Sequence, residues 1–366
     1  MRFISLAPVV LGMVAMSAVA LRPACAETAQ RISGPFTHEN LSIYLVHGHS
    51  AAGETPLTLA EALAKGSVRV HETGNVNALL VENTGAEGVF IQSGDIVKGG
   101  KQDRVLMMSL LLPPRSGKVS IDSFCVEQGR WAARGAEDVK SFTSSSEALP
   151  SRAAKLAMMA PPPKLAEGQM AVGARVQPTR PAGIVQSTDT GSSTGEKQRK
   201  VWAEVSNVQA ALASRLGATV AAPQSATSLQ LSLENDRVKT ARAGYTTALE
   251  GIAAKADDAV GFVVAIDGRL QNGDVYPSAA LFKKMWPKLL AASVTEAIGS
   301  HGDSKAAAAP SIADVEAFLA AAGTGERHEA TIAGLMDQET RDGAKALFVE
   351  ARVHKGAWVH RNYLAK

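Results

Sequence analysis

Two cysteines in 366 residues leave little scope for crosslinking. One of them, Cys25, lies in an N-terminal leader, so loss of that leader leaves Cys125 alone and no intramolecular disulfide; the fold must rest on its core. Nor is there a charge excess: 38 Lys+Arg face 35 Asp+Glu, and removing the leader, with Arg2 and Arg22 and no acid, lowers the net charge from +3 to +1. No overall field would draw in nucleic acid or an anionic membrane, which excludes polyanion binding as the main role. Past residue 21 no stretch reaches 18 uninterrupted apolar residues, so no stable membrane insertion is expected after cleavage. A phosphate loop, a dinucleotide fingerprint and a paired-cysteine zinc motif are all missing, so the sequence names no cofactor and no metal set. What is present, 46% apolar and 20% charged residues, suffices for globular cores of ordinary size.

The leader reads as an export signal. Met1-Arg2 is a short positive start, residues 3 to 21 are apolar, and Ala24-Cys25-Ala26 fits a small-x-small cleavage site. The expectation is a signal peptide over 1–26, cleavage after Ala26, and a periplasmic or secreted protein. Arg22-Pro23 before Cys25 does not suit a lipoprotein.

The expected fold class is α+β: a β-rich sandwich or barrel-like part over 27–140, an insertion over 141–196, and helices packed on a short sheet over 197–366, the two ordered parts forming one module. A strand over 41–47 precedes a helix opened by the capping box Thr58/Glu61. Strand-like runs follow at 68–71, 78–82, 88–92, 104–112 and 119–127, separated by turn residues. The insertion holds six of the sixteen prolines and a single aromatic, Phe142, which predicts disorder. Beyond it come an amphipathic helix from Gln198 to Gly217, a helix over 228–256, a buried strand over 260–266 turning at Asp267-Gly268 into 270–276, and a helix after Pro277-Ser278. A helix capped by Ser311 and Asp314 and a terminal hairpin over 346–353 and 358–364 close the chain.

Val46-His47-Gly48-His49-Ser50 resembles a hydrolase strand end, but the glycine after Ser50 is three residues on, not two, and no helix follows to present the serine. His47 and His49 lack a third ligand at a recognised spacing. One constellation does carry chemistry. Gly99-Gly100-Lys101-Gln102-Asp103-Arg104 enters one strand and Cys125-Val126-Glu127-Gln128-Gly129-Arg130-Trp131 leaves the next. Antiparallel pairing through the Pro113–Gly117 connection would bring Arg104 to Glu127, with Arg130 and Trp131 beside them. Guanidiniums for an anion, an indole for stacking and Glu127 as acceptor or general base suit a planar anionic ligand. The alternative is a structural Arg104–Glu127 ion pair with Trp131 plugging the barrel end.

These two motifs, with Gln198-x-x-x-Trp202 and Val260–Gly268, resemble the ARG and rhodanese-phosphatase-superfamily-associated protein domain over roughly 32–135 and 197–297. The resemblance implies a link to nucleotide or ADP-ribose-like ligands, from which an export signal and a long insertion depart. The reading expected from the sequence is an exported domain binding a small anionic ligand through Lys101, Gln102, Arg104, Arg130, Trp131, Gln198 and Trp202. An enzyme on a phosphorylated substrate with Glu127 as base, and a structural or partner-binding envelope protein, are its alternatives.

Overall fold

A computed structural model of the protein describes residues 30–159, 193–300 and 307–366; the leader and positions 160–192 lie outside them. In chain order, β1 (Arg31–His38) and β2 (Leu41–His47) form a hairpin, and β3 (Leu57–Thr58) leads into α1 (Leu59–Ala64). There follow β4 (Val68–Glu72), β5 (Ala78–Asn83), β6 (Val89–Ile91), β7 (Asp95–Gly99), β8 (Arg104–Leu106), β9 (Leu110–Leu112), β10 (Gly117–Cys125), β11 (Phe142–Ala148) and α2 (Arg152–Met159). The later part holds α3 (Ser193–Leu216), α4 (Leu229–Leu233), α5 (Asp236–Leu249), α6 (Gly251–Ala254), β12 (Ala259–Ile266), β13 (Arg269–Val275), α7 (Ala279–Ser300) and α8 (Ile312–Ala322). It ends in β14 (Glu326–Ile332), β15 (Met336–Asp342), β16 (Ala346–Val353) and β17 (Trp358–Ala365).

The architecture is α+β, with three sheets of order β1-β2-β12-β13-β17-β16-β15-β14, β11-β7-β8-β10-β5-β4 and β3-β6-β9. The largest is antiparallel throughout and is shared by both ends of the sequence, because β2 pairs with β12 in the register Leu45↔Phe262. Both strands are buried along their whole length. Their alternate faces serve two cores: Ile43, Leu45 and Phe262 meet Phe282, Trp286 and Leu289 of α7, while Tyr44, Val46 and Val263 meet Val315 and Phe318 of α8. Burial on both sides is why 260–266 reads as a continuous apolar run rather than an alternating one.

A polar seam crosses the core. Asp274 Oδ1 lies 3.0 Å from His360 Nε2 and accepts from Asn362 Nδ2 at 2.8 Å, and His360 Nδ1 is 2.9 Å from Ser109 Oγ. Ser109, Asp274 and His360 are all buried, and the His360 imidazole is packed among the rings of Phe90 and Tyr276. The seam ties the segment before β9 to β13 and β17 rather than opening a site.

Both expected capping boxes form, at Thr58/Glu61 and Ser311/Asp314, as do the hairpin at Asp267-Gly268 and the terminal hairpin. Three expectations are corrected. The helix over 228–256 is three helices, because the Asn235 side chain takes the Arg237 N–H and starts a new one. The run 104–112 is divided: Arg104–Leu106 pairs with β10, whereas Leu110–Leu112 crosses to β6. Residues 142–159, read as part of a disordered insertion, carry β11 and α2, and β11 joins the six-stranded sheet beside β7.

Candidate functional site

The two motif segments lie side by side. β7 ends on Gly99 and Gly100 follows it, both with positive φ (+118° and +54°), and a β-carbon on Gly100 would stand 2.2 Å from the Phe142 ring. Only glycine makes that turn without moving Phe142. The chain then re-enters the sheet as β8 with Arg104 opposite Cys125 of β10, and Val126 N–H donates to Asp103 O at 3.1 Å. This register delivers Glu127 to the Asp103 backbone.

Glu127 and Asp103 are both completely buried, and each is surrounded by donors. Glu127 Oε1 accepts from Arg130 Nε at 2.6 Å and Arg134 Nη1 at 3.3 Å, and Oε2 from the Asp103 N–H at 3.0 Å. Asp103 takes the two ends of the Arg134 guanidinium at 2.8 and 3.0 Å, the Gly99 N–H at 3.0 Å and the Ser228 hydroxyl at 2.7 Å. Arg130 donates onward to the Gly99 and Gly100 carbonyls. Burial alone would push the Glu127 carboxyl up, but the Arg130 hydrogen bond, with further donors including the Asp103 N–H, holds it below the usual carboxylate range. Desolvation likewise opposes the Arg134 charge, and the Asp103 carboxylate more than restores it.

Arg104 is arranged differently. It is completely buried, and its carboxylate neighbour is Glu72, at 3.6 Å, rather than the expected Glu127. Its Nη1 donates to Gln102 O at 2.8 Å, while Nε and Nη2 have no hydrogen-bond partner. The partly buried Trp131 ring lies over it, 5.7 Å from the guanidinium carbon, and takes the Lys101 ammonium at 4.9 Å. Gln102 donates to Glu127 O at 2.8 Å and accepts from Cys125 Sγ at 3.0 Å. Burial pushes the Cys125 thiol up to about 11.

Gln198, from the first turns of α3, reads the Cys125 backbone like an added strand: its Oε1 takes the Cys125 N–H and its Nε2 gives to the Cys125 carbonyl, both at 2.9 Å. Trp202, one turn on, joins none of these contacts, and its buried indole N–H has no partner. The structure therefore gathers Lys101, Gln102, Arg104, Glu127, Arg130 and Trp131, with Gln198 supporting Cys125, and leaves Trp202 aside. Sequence reasoning missed Glu72, Arg134 and Ser228 as members. Arg134, four residues past Arg130, was the nearest detectable signal; Ser228 arrives from a distant part of the chain.

Among the described residues no group of three or more His, Cys, Asp or Glu side chains is placed to hold a metal, and no helix is long and apolar enough to cross a membrane. A narrow polar cavity with room for about one water lies elsewhere, lined by Gln92, Lys155, Asn272, Ser293 and Glu296 among others.

No curated protein and no solved structure matches the chain. One family profile does, over residues 29–364, and so it takes in the terminal hairpin that the motif resemblance left out. On that match across nearly the whole chain, the protein belongs to the ARG and Rhodanese-Phosphatase-superfamily-associated Protein domain family.

Proposed function

We propose that this is an exported small-ligand-binding protein whose site is the buried Arg104 guanidinium beneath Trp131, with a phosphorylated or nucleotide-like anion as ligand. The observation that carries the reading is a completely buried guanidinium with two nitrogens, Nε and Nη2, left without hydrogen bonds. Such unmade bonds are costly, and two adjacent N–H groups on one edge match the oxygens of a phosphate or carboxylate, which would displace the Glu72 carboxylate that stands 3.6 Å from Nη2. Lys101 adds charge at the Trp131 ring, and the indole offers a stacking face to a planar group once it swings aside. Glu127 fixes the backbone that carries Arg104, taking the Asp103 N–H on its side chain and the Gln102 amide on its carbonyl. An enzyme using Glu127 as general base is less favoured, because both carboxylate oxygens are engaged and the group is held in its weakly basic ionised form.

The test is a thermal-shift screen of nucleotides and sugar phosphates on the mature chain, repeated with Trp131→Ala and Arg104→Lys. A ligand at about 100 times its Kd should stabilise the wild type by about 2.7 kcal/mol and lose most of that effect in Arg104→Lys. No shift with wild type, or an equal shift in Arg104→Lys, removes the reading. Intact mass of the exported protein tests the leader: a chain beginning at Glu27 is expected.

A further inference from the structure

At the margin of the eight-stranded sheet three side chains meet in sequence-distant order. Ser33 Oγ lies 2.7 Å from His47 Nε2, and His47 Nδ1 lies 2.7 Å from Asp258 Oδ1. The register explains the meeting. Arg31 stands opposite His47 and Ser33 opposite Leu45, so Ser33, two residues from Arg31, shares its face with the imidazole as a diagonal neighbour. Asp258 immediately precedes β12, whose first residue, Ala259, is the partner of His47 on its other side. The Gly48 N–H donates to the Asp258 carbonyl at 3.1 Å and fixes that corner.

Each contact also sets the direction of the next. The second Asp258 oxygen accepts from Arg31 Nη2 at 3.0 Å, so the carboxylate is held from two sides. An ionised carboxylate can only accept, which places the imidazole proton on Nδ1 and leaves Nε2 free to accept from the Ser33 hydroxyl. The hydrogen bond from His47, aided by Arg31, keeps the Asp258 carboxyl below the usual range. Directly after Ser33 the ladder slips, between Ser33 and Phe36, where Gly34 has φ +116° and a β-carbon would meet Ile43 O at 2.8 Å. The regular ladder therefore ends on Ser33, and the irregularity begins with the residue after it. His47 is buried and Asp258 and Arg31 are exposed, so the array opens most widely at its aspartate end, and the partly buried Ser33 keeps a share of its surface in solvent. Ser50, the serine suggested by the local sequence, is occupied otherwise: its hydroxyl accepts the Ala279 N–H at the start of α7.

We infer that Ser33, His47 and Asp258 form a nucleophilic triad for acyl-ester chemistry, independent of the Arg104 site. Ser33 Oγ would attack the ester carbonyl carbon while its proton passes to His47 Nε2. Collapse of the tetrahedral adduct breaks the bond to the alkoxide, which leaves with that proton, and water then cleaves the Ser33 ester with His47 again taking and returning a proton. Atoms balance as ester plus water giving acid plus alcohol. Asp258 positions the imidazole and offsets its transient charge, and Arg31 positions Asp258.

The experiment uses the mature chain and a biotinylated fluorophosphonate, with the adduct mapped by peptide mass spectrometry. Ser33 Oγ should bond to phosphorus with loss of fluoride, and His47→Gln should slow the labelling by about 100-fold or more. Asp258→Asn alters an exposed side chain and serves where His47→Gln does not fold; it should slow labelling too. Absence of an adduct on Ser33, or a rate unchanged in the folded variant, overturns the inference in favour of a purely structural hydrogen-bond chain.

Discussion

Arg134 hydrogen-bonds to both buried carboxylates, Asp103 at 2.8 and 3.0 Å and Glu127 at 3.3 Å, while Arg130 bonds Glu127 and stands 3.7 Å from Asp103. Replacing Arg134 with methionine leaves two buried acids short of their counter-charge, and breaking such a buried cluster costs about 3–5 kcal/mol. Urea unfolding of Arg134→Met should show a loss of that size. The lowered Glu127 carboxyl gives the cluster a pH signature as well. A carboxyl depressed on folding contributes stability above its unfolded pKa and loses it as pH falls through the folded value, so stability should decline in acid and decline less steeply in Glu127→Gln. Cys125 makes a complementary prediction: with its thiol pushed up to about 11 and buried, it should resist an aromatic disulfide reagent at pH 8 in the folded protein and react fully in guanidinium.

At the scale of elements, the Gly99-Gly100 turn is held against β11, with the Phe142 ring filling the space beside Gly100. Gly100→Ala forces that ring aside in a left-handed backbone position and should cost about 3 kcal/mol or more, read as a fall in Tm or in urea midpoint. The same turn marks where sequence reasoning worked and where it stopped. Caps such as Thr58/Glu61 and turns such as Asp267-Gly268 were legible because the atoms that decide them are a few residues apart. The adjacency of the two motifs was legible because a short connection limits the pairing, yet the same logic wrongly matched Arg104 with Glu127 and overlooked Glu72. β11 was hidden by a serine-rich composition around one phenylalanine, and β14 by an almost wholly exposed face that carries no hydrophobic period. The Ser33–His47–Asp258 array could not be read at all, because Asp258 stands 211 positions from His47 and only sheet order joins them.

For the whole molecule the decisive feature is the β2–β12 seam, which joins two N-terminal strands to six C-terminal ones in a single sheet. Without β12 the inner edge of β2 has no partner, and without α7 and α8 its apolar faces have no cover, so a fragment of residues 27–140 should fail to give dispersed amide resonances, whereas residues 27–366 should unfold in one cooperative step. Synthesis runs from the N-terminus, so β2 is finished and waiting well before its neighbour exists. During that interval a naked apolar strand is open to mispairing with other copies, a hazard that lasts until the last third of the polypeptide arrives.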